Sequence, residues 1–126
     1  MFFESPMAAR SSPRNTLIGH GVAILAGTLS LAVFRLFDNP SILTEGITLA
    51  RVGAGAFSVA LTGAVLLLLR ASHPPAGATV LIISLGLLTT PTELAMIAVG
   101  VVIVTAAGWT INRAARVPAP LWSGQQ

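Results

Sequence analysis

The charges of this chain are spaced like the ends of membrane spans. Between Arg14 and Arg35 lie 20 residues without formal charge, between Arg51 and Arg70 there are 18, between Arg70 and Glu93 22, and between Glu93 and Arg113 19. A helix rising about 1.5 Å per residue needs about 20 apolar residues to cross about 30 Å of hydrocarbon. Each stretch is long enough for one crossing. Inside a bilayer every peptide group must be paired within its own segment, so the run from Val101 to Val104 is read as helix despite its strand-forming side chains. Composition agrees: 54% of the 126 residues are hydrophobic and 9% are charged, where a soluble domain carries about a quarter charged. The expected fold is an all-α membrane protein, a compact bundle of about four transmembrane helices.

The ends of these helices are marked by capping chemistry. Ser12-Pro13 offers a cap and a proline for the first turn, and Phe37-Asp38-Asn39-Pro40 closes that run. Thr90-Pro91-Thr92-Glu93 predicts a capping box at the start of the last helix. Ser72-His73-Pro74-Pro75 stops any helix continuing past Arg70, because neither proline donates an amide proton and each restricts the residue before it. The third helix is expected to begin there. Residues 36–50 read as loop or a short interfacial helix, and the tail 117–126, with Pro118 and Pro120, as disordered. The first apolar run is longer than the core of a signal peptide and has no A-x-A site before Arg35, so it reads as a retained span.

With four crossings, Arg10, Arg14, Arg70, Arg113 and Arg116 share one face, while Arg35 and Arg51 lie on the other. That bias places both termini in the cytoplasm; a re-entrant third segment would reverse it. Trp109 fits an interfacial anchor. The pI near 11.6 reflects seven arginines and no lysine, spread singly rather than in a nucleic-acid-binding patch. There is no cysteine and there are only two histidines and four scattered acids, so neither a metal centre nor a cofactor is expected. No nucleophile–base set or phosphate-binding glycine loop is present, so no enzyme is expected either. Small residues recur at Gly19, Ala23 and Gly27, and at Gly53, Ala56, Ala60, Gly63 and Ala64, as close-packing faces for helices in lipid.

The polar residues converge at the arginine-rich face. Arg14, Asn15, His20, Arg70 and His73 meet there with the first turn of the third helix. The first amides of that helix, on Ala76, Gly77, Ala78 and Thr79, are expected to be free, and a helix N-terminus with unpaired N–H groups attracts anions. The pattern therefore predicts an anion-binding mouth. Simpler roles also fit: Arg14 and Arg70 as positive-inside anchors, His73 as a helix cap, His20 as a bond to a neighbouring helix through a threonine or a carbonyl, with Thr105 and Asn112 as candidates.

Ser12-Pro13-Arg14-Asn15, Gly19-His20 and His73-Pro74-Pro75-Ala76-Gly77-Ala78-Thr79, in this order and spacing, resemble the signatures of the HPP family of integral membrane proteins over roughly residues 5 to 113. The heptapeptide is the specific element. The resemblance implies a small helical membrane protein, and plastid and cyanobacterial members are similar to nitrite transporters. Some relatives add paired CBS domains, which are not expected here. Relatives also usually carry a further apolar segment before the stretch corresponding to Phe2-Phe3-Glu4-Ser5-Pro6. The sequence starts at that stretch, so any part of a permeation path supplied by that segment is expected to come from another subunit or to be missing.

Together these readings give an N-terminal cytoplasmic segment (1–12), an HPP-type transmembrane domain (13–113) and a tail (114–126). The expected function is a transporter or channel-like facilitator of a small inorganic anion, nitrite being the family's case. The alternative is a noncatalytic assembly subunit. The expected partners are the lipid bilayer, the anion, and a second copy or a partner membrane subunit; no nucleic acid is expected. The expected location is a bacterial plasma membrane, ahead of a plastid envelope.

Overall fold

The computed structural model describes residues 5–124. Phe2, Phe3 and Glu4 of the expected N-terminal segment, and the last two residues of the tail, lie outside them. The described residues form helices and turns with no strand. A short 3-10 turn, Ala9–Ser11, leads into α1 (Pro13–Val33), followed by α2 (Ile42–Glu45), α3 (Leu49–Leu68), α4 (Ala76–Ser84) and α5 (Pro91–Ala114).

The starts follow the sequence signals. The Ser12 hydroxyl accepts the Asn15 amide at 3.2 Å, and Thr48 accepts that of Arg51 at 3.2 Å. The Thr90–Glu93 capping box is complete: Thr90 accepts the Glu93 amide, and the Glu93 carboxylate takes the amides of both Thr89 and Thr90. These bonds satisfy donors that a helix N-terminus leaves without partners.

The ends share one motif. After α1, α3 and α5 the chain turns left-handed at Arg35, Arg70 and Arg116, with φ of 54°, 49° and 57°. In each case the amide of the following residue reaches back into the last turn of the helix, as from Leu36 to Leu31, Ala71 to Leu66 and Val117 to Asn112. Glycine usually fills this position. Arginine there accepts about 1–2 kcal/mol of backbone strain, offset in part by a cation beside the negative end of the helix dipole. α4 ends the same way, with Gly86 at φ 81°.

The expected third span differs most from the sequence reading. α1, α3 and α5 are each long and apolar enough to cross a membrane, whereas α4 has nine residues, a rise of about 13.5 Å. The two prolines set its start and the Gly86 turn sets its end. The chain nevertheless crosses the bundle there, because turns at both ends of α4 complete the passage. Asn15 meets Ser72 at one end, and Arg51, in the first turn of α3, meets Ser84 at the other. Four passages bring both described ends together: the Arg14 amide donates to the Trp122 carbonyl at 3.0 Å. Arg10, Arg14, Arg70, Arg113 and Arg116 lie at this end, and Asp38, Glu45 and Glu93 at the opposite one.

α1 is the hub, packed against α3, α4 and α5. Its Gly19, Ala23 and Gly27 form the expected close-packing face, set against α4. A Cβ on Gly19 would lie 2.7 Å from His73 Cβ, and one on Gly27 2.8 Å from Ile83 Cβ. Such contact holds helices together where apolar expulsion does not drive them. The second expected stripe holds at Gly53, where a Cβ would meet the Phe34 ring, and is corrected beyond it. Ala56, Ala60, Gly63 and Ala64 face outward, and α3 buries Arg51, Ala54, Gly55, Ser58, Thr62 and Leu66 instead. α5 is peripheral and buries only Thr105, Gly108 and Asn112. The tail is also corrected: Pro120 accepts the Trp109 indole N–H at 3.1 Å, and the tail folds over the start of α1. Arg113 stacks on Trp109 at 5.1 Å.

Candidate functional site

The start of α4 and the first two turns of α1 meet at the arginine-rich end. His73 is held on the turn before Pro74 and Pro75, where the missing Cβ of Gly19 leaves room for its ring. Its Nδ1 lies 3.0 Å from the Arg10 carbonyl and its Nε2 3.1 Å from His20 Nε2. His20 Nδ1 in turn lies 2.7 Å from the Thr79 hydroxyl. The rings meet edge to face with centroids 4.9 Å apart. His20, His73 and Thr79 of the expected site are thus one connected cluster. His20 bonds Thr79, whereas the candidate Thr105 turns back to its own helix at Val101. Burial pushes the His73 imidazole below the ordinary histidine range, and the bond to the Arg10 carbonyl opposes that shift.

Arg14 and Asn15 are placed beside the cluster as clasps. Arg14 donates to the carbonyls of Leu69 at 3.3 Å and Arg70 at 3.5 Å and to Asn15 Oδ1 at 3.0 Å. A guanidinium on the carbonyls just past the end of α3 faces the negative end of its dipole. Asn15 donates its side-chain amide to the Ser72 carbonyl at 3.3 Å. Arg70 contributes its backbone here, and its side chain is exposed.

The expected row of free amides is corrected. The amides of Ala76, Gly77 and Ala78 donate to the carbonyls of His73, Pro74 and Pro75 at 3.0–3.1 Å, and that of Thr79 to Pro75 at 3.4 Å. The two prolines lack donors of their own, but their carbonyls cap the amides that follow. No open nest of N–H groups is left for an anion at this helix start.

Space remains on both sides of His73. A groove of about 380 Å³ between α1, α4 and α5 is bounded by Thr16, His20, His73 and Pro75 on one wall and by Ile97, Gly100 and Val101 on the other. A second, of about 290 Å³ between α3 and α4, takes in Gly63, Ser72, His73 and Gly77. The first is almost wholly apolar apart from its two histidines and Thr16, whose hydroxyl is spent on the Ser12 carbonyl. Among the described residues, no group of three or more histidines and acids forms a metal site.

Arg51 escapes the sequence reading, which places it on the opposite membrane face. It is fully buried and donates to the carbonyls of Ser84 at 3.3 Å, Asn39 at 3.1 Å and Pro40 at 2.6 Å, while its Nε has no partner. It ties the end of α4 to the start of α3. The signal lies in Gly86, where a Cβ would come within 2.7 Å of the guanidinium, but no spacing rule connects residues so far apart in sequence.

The family described as HPP, transmembrane region, matches residues 1–120. No curated protein and no solved structure matches the chain. The match covers nearly all of the chain, including the His-Pro-Pro turn that builds the cluster and the three long apolar helices around it. This multi-pass integral membrane protein belongs to the HPP transmembrane family.

Proposed function

We infer that the protein carries a small inorganic anion across the membrane, with nitrite, the substrate that the family resemblance implies, as the case to test. The observation that carries this reading is the placement of both histidines in one apolar groove at the end of the bundle that bears five arginines. The carboxylates of the described residues lie at the other end. The arginines attract an anion toward the membrane, and the groove offers it two imidazoles instead of a row of amides. Arg14 and Asn15 hold the helix ends that shape the groove. Weak binding suits the task, because a tightly held ion is not released. The positive-inside rule sets the arginine-rich end, with both termini, in the cytoplasm.

The test is nitrite uptake by liposomes containing the purified chain, compared with protein-free vesicles and with His73→Ala. Saturable flux that falls at least tenfold in the variant supports the reading, and flux equal to that of empty vesicles overturns it. A second reading, an assembly subunit, is favoured by the outward small-residue face of α3 and the exposed α5. It predicts that the chain is extracted as a stable complex with another membrane protein and passes no anion by itself.

A further inference from the structure

The hydrogen-bond geometry around the two histidines dictates where their protons sit. The Arg10 carbonyl only accepts, so His73 Nδ1 carries a proton, and in the neutral ring His73 Nε2 is bare. His20 must then donate through Nε2–H, which leaves its Nδ1 to accept from the Thr79 hydroxyl. The neutral rings are therefore opposite tautomers in a directed chain from Thr79 through His20 and His73 to Arg10. One more proton fits without breaking it. The proton adds to the lone pair of His20 Nδ1, and the His20 Nε2 proton moves across to His73 Nε2. The Thr79 hydroxyl turns from donor to acceptor. A second added proton does not fit, because two N–H groups would face each other across the 3.1 Å gap.

We propose that His20 and His73 together form a binding site for one proton, and that this proton is the counter-charge that admits the anion to the groove. Among the described residues, an anion beside Ile97, Val101 and Pro75 finds no fixed cation. Arg14 is engaged on the end of α3, the Arg70 side chain is exposed, and the Arg10 guanidinium bonds Ser5 at 3.3 Å. α4 offers only the Thr79 hydroxyl, and the stretch of α5 lining the groove, Ile97 to Val104, has no titratable side chain. An unpaired charge in such surroundings is costly, so the anion and the proton favour each other's binding, by linkage, to the same degree. The coupling part of the proposal rests on the anion-carrier reading; the one-proton site does not.

The experiment uses the chain's only two histidines, labelled with 15N in the full-length protein in nanodiscs. At pH 8 the ring signals should report one Nδ1–H and one Nε2–H tautomer. On acidification the pair should take up one proton, with the second delayed to clearly lower pH. In liposomes, the initial nitrite uptake rate should fall about tenfold per pH unit on the alkaline limb, with the slope of a single proton. An inward proton gradient should drive accumulation in wild type but not in His20→Gln. Identical tautomers, or two rings titrating independently, overturn the one-proton site without bearing on whether nitrite crosses. Nitrite flux indifferent to pH with the opposite tautomers intact overturns the coupling. The opposite tautomers in a chain that passes no nitrite support the site and sink the carrier reading instead.

Discussion

Gly19→Ala tests the packing on which the histidine pair depends. The added Cβ would sit 2.7 Å from His73 Cβ and 2.9 Å from its Cδ2, against an ordinary carbon–carbon contact of about 3.5–4.0 Å. One side must therefore yield by close to an ångström. His73 has little freedom to do so, because its ring is tied to the Arg10 carbonyl and its backbone runs into two prolines. Overpacking of this kind costs about 1–3 kcal/mol. Alanine also returns up to about 1 kcal/mol of helix propensity relative to glycine, so the single variant understates the clash. Gly21→Ala supplies the correction: it lies on the same helix, and a Cβ there meets nothing within 4 Å. The stability difference between the two variants therefore isolates the clash. Reversible unfolding in mixed micelles, followed by circular dichroism, should find Gly19→Ala less stable than Gly21→Ala by about 1–3 kcal/mol. The same substitution should push the His73 ring away from His20, which histidine ring NMR would report. Variants of equal stability, with the two rings still bonded to each other, would refute the close approach of α1 to the His-Pro-Pro turn.

Thr90→Val removes the hydroxyl from the capping box and should cost about 1 kcal/mol, read by the same unfolding titration. Gly86→Ala combines left-handed strain of about 1–2 kcal/mol with a contact against the Arg51 guanidinium, and should destabilise more than Thr90→Val in that assay. Because the native His73 value is lowered, the unfolded chain binds the proton first on acidification. Stability should therefore hold above the ordinary histidine value of 6.5 and decline as pH falls below it, by at most about 1.4 kcal/mol per pH unit, until the lowered native value is reached. His73→Asn should make that decline shallower, as measured by unfolding midpoints at a series of pH values.

Charge spacing marks α1, α3 and α5 because a bilayer enforces one simple rule on all three, and Ser12, Thr90 and Glu93 announce helix starts because their bonds span three residues. The length of α4 follows different physics. Its stop is a left-handed turn at Gly86, wedged against an arginine contributed by α3, and a run of uncharged residues from 71 to 92 hides both. The amides of Ala76 to Thr79 look free when only the prolines' missing donors are counted; their carbonyls become visible as acceptors once the turn has a shape. The outward face of α3 is hidden in the sequence because small residues serve equally well against a helix or against lipid, and only Arg51, Ser58 and Thr62, polar and buried, reveal the true inner side. The convergence of His20 and His73 is legible from topology, but their direct bond is not, because it depends on the register between α1 and the turn before α4.

The contact between anion and chain is tested most directly by adding sodium nitrite to the 15N-histidine protein in nanodiscs near pH 6, with sodium gluconate at matched ionic strength as reference. The His73 and His20 ring signals should shift saturably with nitrite and stay put with gluconate. Signals that respond equally to both salts, or to neither, would contradict an anion site at the histidine pair.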